Sequence, residues 1–142
     1  MRLVQTLNTT SQVVAANDTY NLGIIDRAEN VNCACPWYTF NGTSLTINKP
    51  GYYDVSVTVN GTGTAGIVGA QLYVNGIASP GAIAETTVAA VGDSVNLSFD
   101  KVIRVYNQCC GGSGGPLTLT VVNTGAVDIT ATSIVLNAIK VG

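Results

Sequence analysis

The chain has 142 residues, of which 46% are hydrophobic and 10% are charged, and its formal net charge at pH 7 is −2. This length fits one domain with a single core, and so apolar a composition excludes disorder driven by charge. The six lysines and arginines are scattered singly from Arg2 to Lys140, which excludes a basic patch and argues against nucleic acid as a partner.

The first residues, MRLVQTLNTTSQ, do not form a signal peptide, because polar residues interrupt the apolar run before it is long enough. No later apolar run approaches the length of a membrane span. We therefore expect synthesis in the cytoplasm and no membrane partner. A surface with so few charges has little electrostatic protection against self-association, so we also expect other protein to cover part of it.

Alternation of apolar and polar residues predicts β-strands along almost the whole chain. In the clearest case, residues 52–59, apolar side chains alternate with Asp54, Ser56 and Thr58, and Asn60-Gly61 follows as a predicted hairpin turn. The other predicted strands are 13–25, 38–47, 67–74, 83–88, 94–106, 117–122 and 129–141. No window has a helical period, and short strands separated by turn residues predict an all-β, single-domain sandwich or barrel.

The last predicted strand is apolar on both faces. In an extended chain Ile134 and Leu136 point one way, while Val135 and Ile139 point the other. One face would then contact the core and the other a subunit interface. The alternative is a central strand of a monomeric sandwich.

Few residues are available for catalysis. The chain has no histidine, which removes the commonest general base, the usual nucleophile pairs and most zinc sites. The eight carboxylates are dispersed, and the glycine-rich stretch 111–115 lacks the Lys-Ser/Thr pair and the helix of a phosphate-binding loop. We expect no catalytic residue, no cofactor and no metal, and we interpret 111–115 as part of a long hairpin connection.

Four cysteines form two close pairs that are far apart in the sequence. Cys33 and Cys35 would point the same way from an extended strand, whereas Cys109 and Cys110 would point in opposite directions. Neither spacing is the Cys-x-x-Cys of most zinc sites. Three alternatives stay open: a disulfide between the two loops or between subunits, reduced unpaired thiols, and a four-cysteine zinc or iron-sulfur site.

Three short motifs resemble the C1q and tumour-necrosis-factor-like jelly roll. The first is a Gly-x-Tyr strand with flanking aromatic and aliphatic residues, namely Tyr38, Leu45, Gly51, Tyr53, Val55 and Val57. The second is the hairpin LYVNG at 72–76, and the third is the start of a strand, VGDSVNL, at 91–97. With a last strand at 133–141 they cover most of the chain. The resemblance implies a single-domain jelly-roll β-sandwich that is non-enzymatic and assembles as a trimer.

Two departures separate this chain from the C1q branch. Val55 and Val57 stand where that branch has aromatics, and no collagen-like stalk precedes the domain. The chain is more similar to the form of this fold found in virion proteins of tailed bacteriophages. That resemblance implies a capsid-decoration or head-fibre protein on the virion surface, with itself and the major capsid or other virion proteins as partners. Residues 1–30 would be an N-terminal strand or attachment segment, and residues 31–142 the jelly-roll body.

In the family, the face of the Gly-x-Tyr strand opposite the core lies near the three-fold axis. The resemblance therefore makes Asp54, Ser56 and Thr58 trimer contacts, together with Val135 and Ile139 of the last strand. Three copies of Asp54 near an axis would repel one another unless they were solvated, protonated or bridged by a cation. A different assembly, or a solvated carboxylate on an exposed face, is the alternative.

A second hypothesis is a binding module, the receptor- or glycan-contacting tip of a phage tail fibre, with a host surface receptor as its partner. This role requires an exposed aromatic cluster, and Trp37 with Tyr38 is the candidate. The alternative role of Trp37 is that of a packing anchor.

Overall fold

A computed structural model describes residues 2–29, 36–106 and 115–142. These residues form eleven β-strands and no helix. The strands are β1 (Leu3–Asn8), β2 (Gln12–Val14), β3 (Ile24–Ala28), β4 (Tyr38–Phe40), β5 (Leu45–Ile47), β6 (Gly51–Gly63), β7 (Gly66–Val74), β8 (Ile77–Val88), β9 (Ser94–Val105), β10 (Leu117–Val122) and β11 (Ile129–Lys140). Within these ranges, no helix is long and apolar enough to cross a membrane.

The strands pair antiparallel into two sheets. The order in the six-stranded sheet is β3-β1-β11-β6-β9, with β2 paired to the first residues of β11. The order in the five-stranded sheet is β4-β5-β10-β7-β8. The two sheets pack as a sandwich around one hydrophobic core, so the predicted all-β sandwich is confirmed.

Strand β6 shows why alternation predicts the fold. Tyr53, Val55, Val57 and Val59 are at most 1% exposed and belong to the core, whereas the residues between them are half-buried on the opposite face. Burying each of these valines stabilises the fold by about 1.5–3 kcal/mol relative to leaving it in water. The ring of Trp37 stacks on Tyr53 with 5.9 Å between the ring centroids. Aromatic packing therefore fills the core of the sandwich near the start of β6.

A buried amide joins the two sheets. Asn123 Nδ2 donates to the carbonyl oxygens of Val14 and Val127 at 3.0 Å each. Its Oδ1 accepts from the backbone N–H groups of Gly69 at 3.1 Å and Gly125 at 3.0 Å. Since a buried polar group costs stability unless it is bonded, these four bonds allow Asn123 to be fully buried. They connect β2, β7 and the turn that follows β10.

The structure corrects one predicted turn and confirms another. Asn60-Gly61 is not a hairpin turn, because β6 continues beyond it. Gly61 lies where the pairing of β6 with β11 shifts register, and an added Cβ would stand 2.0 Å from Thr130 O. Glycine is therefore required for a close backbone approach and not for a turn. By contrast, Asn75 and Gly76 have φ angles of 52° and 80° and form the predicted tight hairpin between β7 and β8.

Several strand boundaries also differ from the prediction. The predicted strands 13–25 and 38–47 are each two shorter strands, β2 with β3 and β4 with β5. β8 begins at Ile77 and passes through Pro80, which lies where the pairing of β8 with β7 shifts register, a position where a strand tolerates proline. β1, absent from the predicted strands, lies between β3 and β11. Three strands of the six-stranded sheet therefore come from residues 1–30.

Some predictions concern residues outside the described ranges. They are the state of Cys33, Cys35, Cys109 and Cys110 and most of the glycine-rich connection 111–115. Within the described ranges, no group of three or more His, Cys, Asp or Glu side chains is placed to hold a metal ion. The disulfide, free-thiol and metal alternatives for the cysteines therefore remain predictions.

Candidate functional site

The outer face of the six-stranded sheet, which points away from the core, carries all the predicted trimer contacts. These are Asp54, Ser56 and Thr58 on β6 and Val135 and Ile139 on β11. Asp54 lies opposite Ile139, and Thr58 lies opposite Val135. All five are half-buried within a single chain. Strand pairing thus joins two distant segments into one continuous patch.

A row of amide and hydroxyl side chains crosses the middle of this outer face. Gln5 Nε2 donates to Asn137 Oδ1 at 2.7 Å, and Asn137 Nδ2 donates to Ser56 Oγ at 3.4 Å. Aliphatic side chains flank the row on neighbouring strands, where Leu3 lies opposite Ile139 and Leu7 lies opposite Val135. The face therefore combines aliphatic surface with a polar row whose groups already bond one another within one chain, so that covering the row with another protein would leave fewer polar groups without partners.

A second aspartate, Asp100 of β9, lies diagonally across from Asp54. Pairing places Ser56 opposite Asp100 and Val102 opposite Asp54, so both carboxyl groups are on the outer face. A side-chain hydrogen bond with Asp100, then burial, then the negative charge of Asp100 raise the pKa of Asp54 above its usual range. Asp54 Oδ1 is covered and has no hydrogen-bond partner in the described part of the chain. Asp54 therefore keeps its proton to higher pH than an isolated aspartate does.

The edge between β8 and β9 forms an apolar groove of about 450 Å³. Ile77, Val102 and Tyr106 line it and are more than half exposed. The guanidinium of Arg104 lies 4.5 Å from the ring centroid of Tyr106 and 5.3 Å from that of Tyr52, an arrangement that holds a cation over aromatic faces. Because Val102 also belongs to the outer face, the groove and that face are continuous.

Trp37 is buried, which corrects the hypothesis that it offers an exposed aromatic surface to a ligand. Only 1% of the residue is exposed. Its ring stacks on Tyr53 and meets Tyr38 edge-on at 5.1 Å, and its Nε1 donates to Glu29 O at 2.8 Å. Trp37 is therefore a packing anchor whose ring and N–H are both engaged within the chain. Tyr38 is half-buried beside it.

Solved structures with this architecture match almost the whole chain. Eiger TNF from S. frugiperda matches with a TM-score of 0.71 and 12% identity, over 100% of this chain and 94% of that one. The globular domain of zebrafish complement 1qA protein matches with a TM-score of 0.67 and 9% identity, over 100% and 98%. PRD1 vertex protein P5 matches with a TM-score of 0.56 and 15% identity, over 99% and 97%. No protein-family profile and no curated protein matches the sequence.

These likenesses define the class of fold. The chain is a C1q/TNF-like jelly-roll β-sandwich, so the fold implied by the three short motifs is confirmed. Within those motifs, Tyr53 and Leu72 are core residues, and Asn75-Gly76 forms the hairpin. Because one fold can serve many functions, the role of the protein has to be argued from its surfaces.

Proposed function

We propose that the protein is a non-enzymatic structural component of a virion, a homotrimeric capsid-decoration or head-fibre protein of a tailed bacteriophage. The observation that carries the proposal is the outer face of the six-stranded sheet, where half-buried aliphatic side chains surround an ordered polar row. A chain with 10% charged residues is protected from aggregation when other copies of itself cover such a face. The fold shared with a phage vertex protein supports the virion as the setting.

The β8–β9 groove and the outer face of the six-stranded sheet adjoin each other but differ in shape and chemistry, and this difference supports a closed assembly. One copy would place its β8–β9 groove, with Val102 and Tyr106, against the outer face of the next copy. Contacts between unlike surfaces are heterologous, and they give a finite ring when the rotation between copies closes. The predicted contacts Asp54 and Val135 would then lie at or beside the subunit boundary. The raised pKa of Asp54 would reduce the repulsion between its copies, because a protonated carboxyl group carries no charge.

The same proposal assigns location and partners. The protein would be made in the host cytoplasm and lie on the virion surface, in contact with further copies of itself and with the major capsid or another virion protein. Residues 1–30 would provide the attachment. Because β1 is paired on both sides, a partner would contact the exposed positions elsewhere in this segment, which include Val13 and residues 17–19.

Light scattering after size exclusion, under reducing and non-reducing conditions, tests the trimer. We expect the mass of three chains in both conditions. Val135→Glu should give the mass of one chain, because it would bury a charge among the aliphatic side chains of the outer face. The matched control is Val91→Glu, since Val91 is 77% exposed between β8 and β9, and it should remain a trimer. A monomeric wild-type protein would contradict the proposed assembly.

Peptide mass spectrometry of purified particles tests the virion role separately. Particles of a phage that carries the coding sequence should contain the protein, and particles from a deletion strain should lack it while still packaging DNA. If particles with the intact coding sequence contain none of the protein, the virion role is wrong even when the purified protein is a trimer.

A further inference from the structure

A groove of about 440 Å³ lies beyond the end of β1, between residues 7–12 and 21–24. It opens near β3, at the edge of the six-stranded sheet opposite to β9. Its volume falls within the roughly 300–1,000 Å³ of small-molecule sites. Leu7 contributes both to this groove and to the outer face, but the other lining residues are separate from the predicted trimer contacts.

Hydrogen bonds hold the walls of the groove in place. Gln12 Nε2 donates to Asn21 O, and Gln12 Oε1 accepts from Asn21 N, at 2.9 Å each. Asn8 Nδ2 also donates to Asn21 O at 2.9 Å, and Asn8 Oδ1 accepts from Thr10 N at 2.9 Å. The segment 9–11 is therefore tied to residue 21 from both of its ends. A ligand would not have to order these walls, which lowers the entropic cost of binding.

Gly23 allows the second wall to approach the first. Its φ is +84°, and an added Cβ would stand 2.2 Å from Leu7 O and 2.7 Å from Asn8 Cβ. Asn21 Oδ1 accepts from Gly23 N at 2.8 Å and fixes the turn. The shape of the groove thus depends on a specific glycine and a specific set of amide bonds.

The lining of the groove is neutral and amphipathic. Thr9, Thr10 and Ser11 are exposed and contribute hydroxyl groups to the lining, while Leu7 and Ile24, which is 69% exposed, contribute aliphatic surface. Among the lining residues that the structure describes, none is Asp, Glu, Lys or Arg. A charged ligand would therefore lose hydration without gaining an opposite charge, and a wholly apolar ligand would leave the hydroxyl groups without partners.

A neutral pyranose has the matching chemistry, because it presents C–H groups on one face and hydroxyl groups around its rim. We propose that this groove binds a neutral sugar unit of a glycan, with the C–H face over Ile24 and the hydroxyl groups bonded to Thr10 and Ser11. The site lies apart from the buried Trp37. The inference depends on neither trimer formation nor the virion role.

Saturation-transfer NMR on the wild-type protein tests the inference directly. The probes are the methyl glycosides of glucose, galactose, mannose, N-acetylglucosamine and rhamnose, each at roughly 10 mM so that a millimolar complex is populated. We expect at least one glycoside to receive saturation, most strongly at the ring C–H protons. An absence of transfer to every glycoside would overturn the proposal.

Exposed positions in the groove allow variants that should fold normally. Ile24→Ala removes the aliphatic platform, and the double variant Thr10→Ala, Ser11→Ala removes two hydroxyl groups. Each should weaken binding by at least about threefold. The matched control is Val91→Ala, because Val91 is 77% exposed between β8 and β9 and does not line the groove. Equal binding by wild type and both groove variants, or equal weakening by the control, would place the sugar elsewhere and overturn the assignment.

Discussion

Asp54 and Asp100 lie diagonally across β6 and β9, on the face of the sheet that points away from the core, and a side-chain hydrogen bond with Asp100 raises the pKa of Asp54. The nearby cations are engaged elsewhere. Arg104, further along β9, has its guanidinium over two tyrosine rings. Lys101 Nζ donates to Ser79 Oγ at 2.8 Å. The hydrogen bond between the two carboxyl groups is thus what holds Asp54 in its protonated form to higher pH.

This pair should make the fold more stable in acid than at neutral pH. The pKa of Asp54 is raised in the folded chain, so its contribution is fully present below the unfolded value of 3.8 and is lost as the pH rises through the folded pKa. Asp54→Asn keeps a donor to Asp100 without a titrating group. We expect this variant to have a higher Tm than wild type at neutral pH and a smaller fall in Tm from acid to neutral pH, measured by circular dichroism.

The control for this titration is Asp18→Asn, because Asp18 is exposed in the loop after β2. It should leave the difference in Tm between acid and neutral pH as it is in wild type. If Asp54→Asn and wild type lose the same Tm between acid and neutral pH, the raised pKa of Asp54 does not contribute to the pH dependence of stability.

Asn123→Ala should destabilise the fold by about 3–5 kcal/mol, because it leaves buried backbone donors and acceptors on both sheets without partners. The exposed residue Asn96 offers a matched control, since its side chain bonds one neighbouring side chain, that of Asn60. Asn96→Ala should change the free energy of unfolding by no more than about 0.5 kcal/mol. Urea unfolding measures both values, and similar losses in the two variants would show that Asn123 does not hold the sheets together.

Gly61→Ala and Gly76→Ala test two different requirements for glycine, a close backbone approach at Gly61 and a positive φ at Gly76. At Gly61 the added Cβ would collide with Thr130 O in a paired strand, so we expect a loss of about 2–4 kcal/mol. At Gly76 nothing lies within 4 Å of the added Cβ, and only the φ of +80° opposes it, so the loss should be about 1 kcal/mol. Urea unfolding compares the variants, and a larger loss at Gly76 would contradict the close approach of β6 and β11.

Two of the three Asn-Gly pairs show how far the sequence predicts the fold. Asn75-Gly76 lies between strands that are neighbours in one sheet, so its turn chemistry acts locally and the prediction is confirmed. Asn60-Gly61 has the same chemistry, but β11 supplies a partner for the residues beyond it and extends the strand. Alternation and turn residues therefore predict that a strand exists, whereas a partner distant in sequence decides its length.

The candidate site was predictable to a similar extent. Alternation places Asp54 and Thr58 on one face of β6 and Val135 on one face of β11. That these faces adjoin, and that Asp100 comes next to Asp54, depends on the register between strands, which neither strand specifies by itself. The sugar groove has no sequence signal of its own, because it arises from the packing of Gly23 against the end of β1.

Trp37 is the single tryptophan of the chain, so its fluorescence reports directly on the end of the core where it packs. Because the residue is 1% exposed, its emission should be shifted to shorter wavelength in the folded protein relative to the urea-unfolded chain, and iodide should quench it weakly. Trp37→Phe should lose the hydrogen bond to Glu29 O as well as packing volume, and destabilise the fold by about 1–3 kcal/mol. Emission and iodide quenching equal to those of the unfolded chain would show that Trp37 is exposed. The hypothesis that Trp37 contacts a receptor or glycan would then apply again.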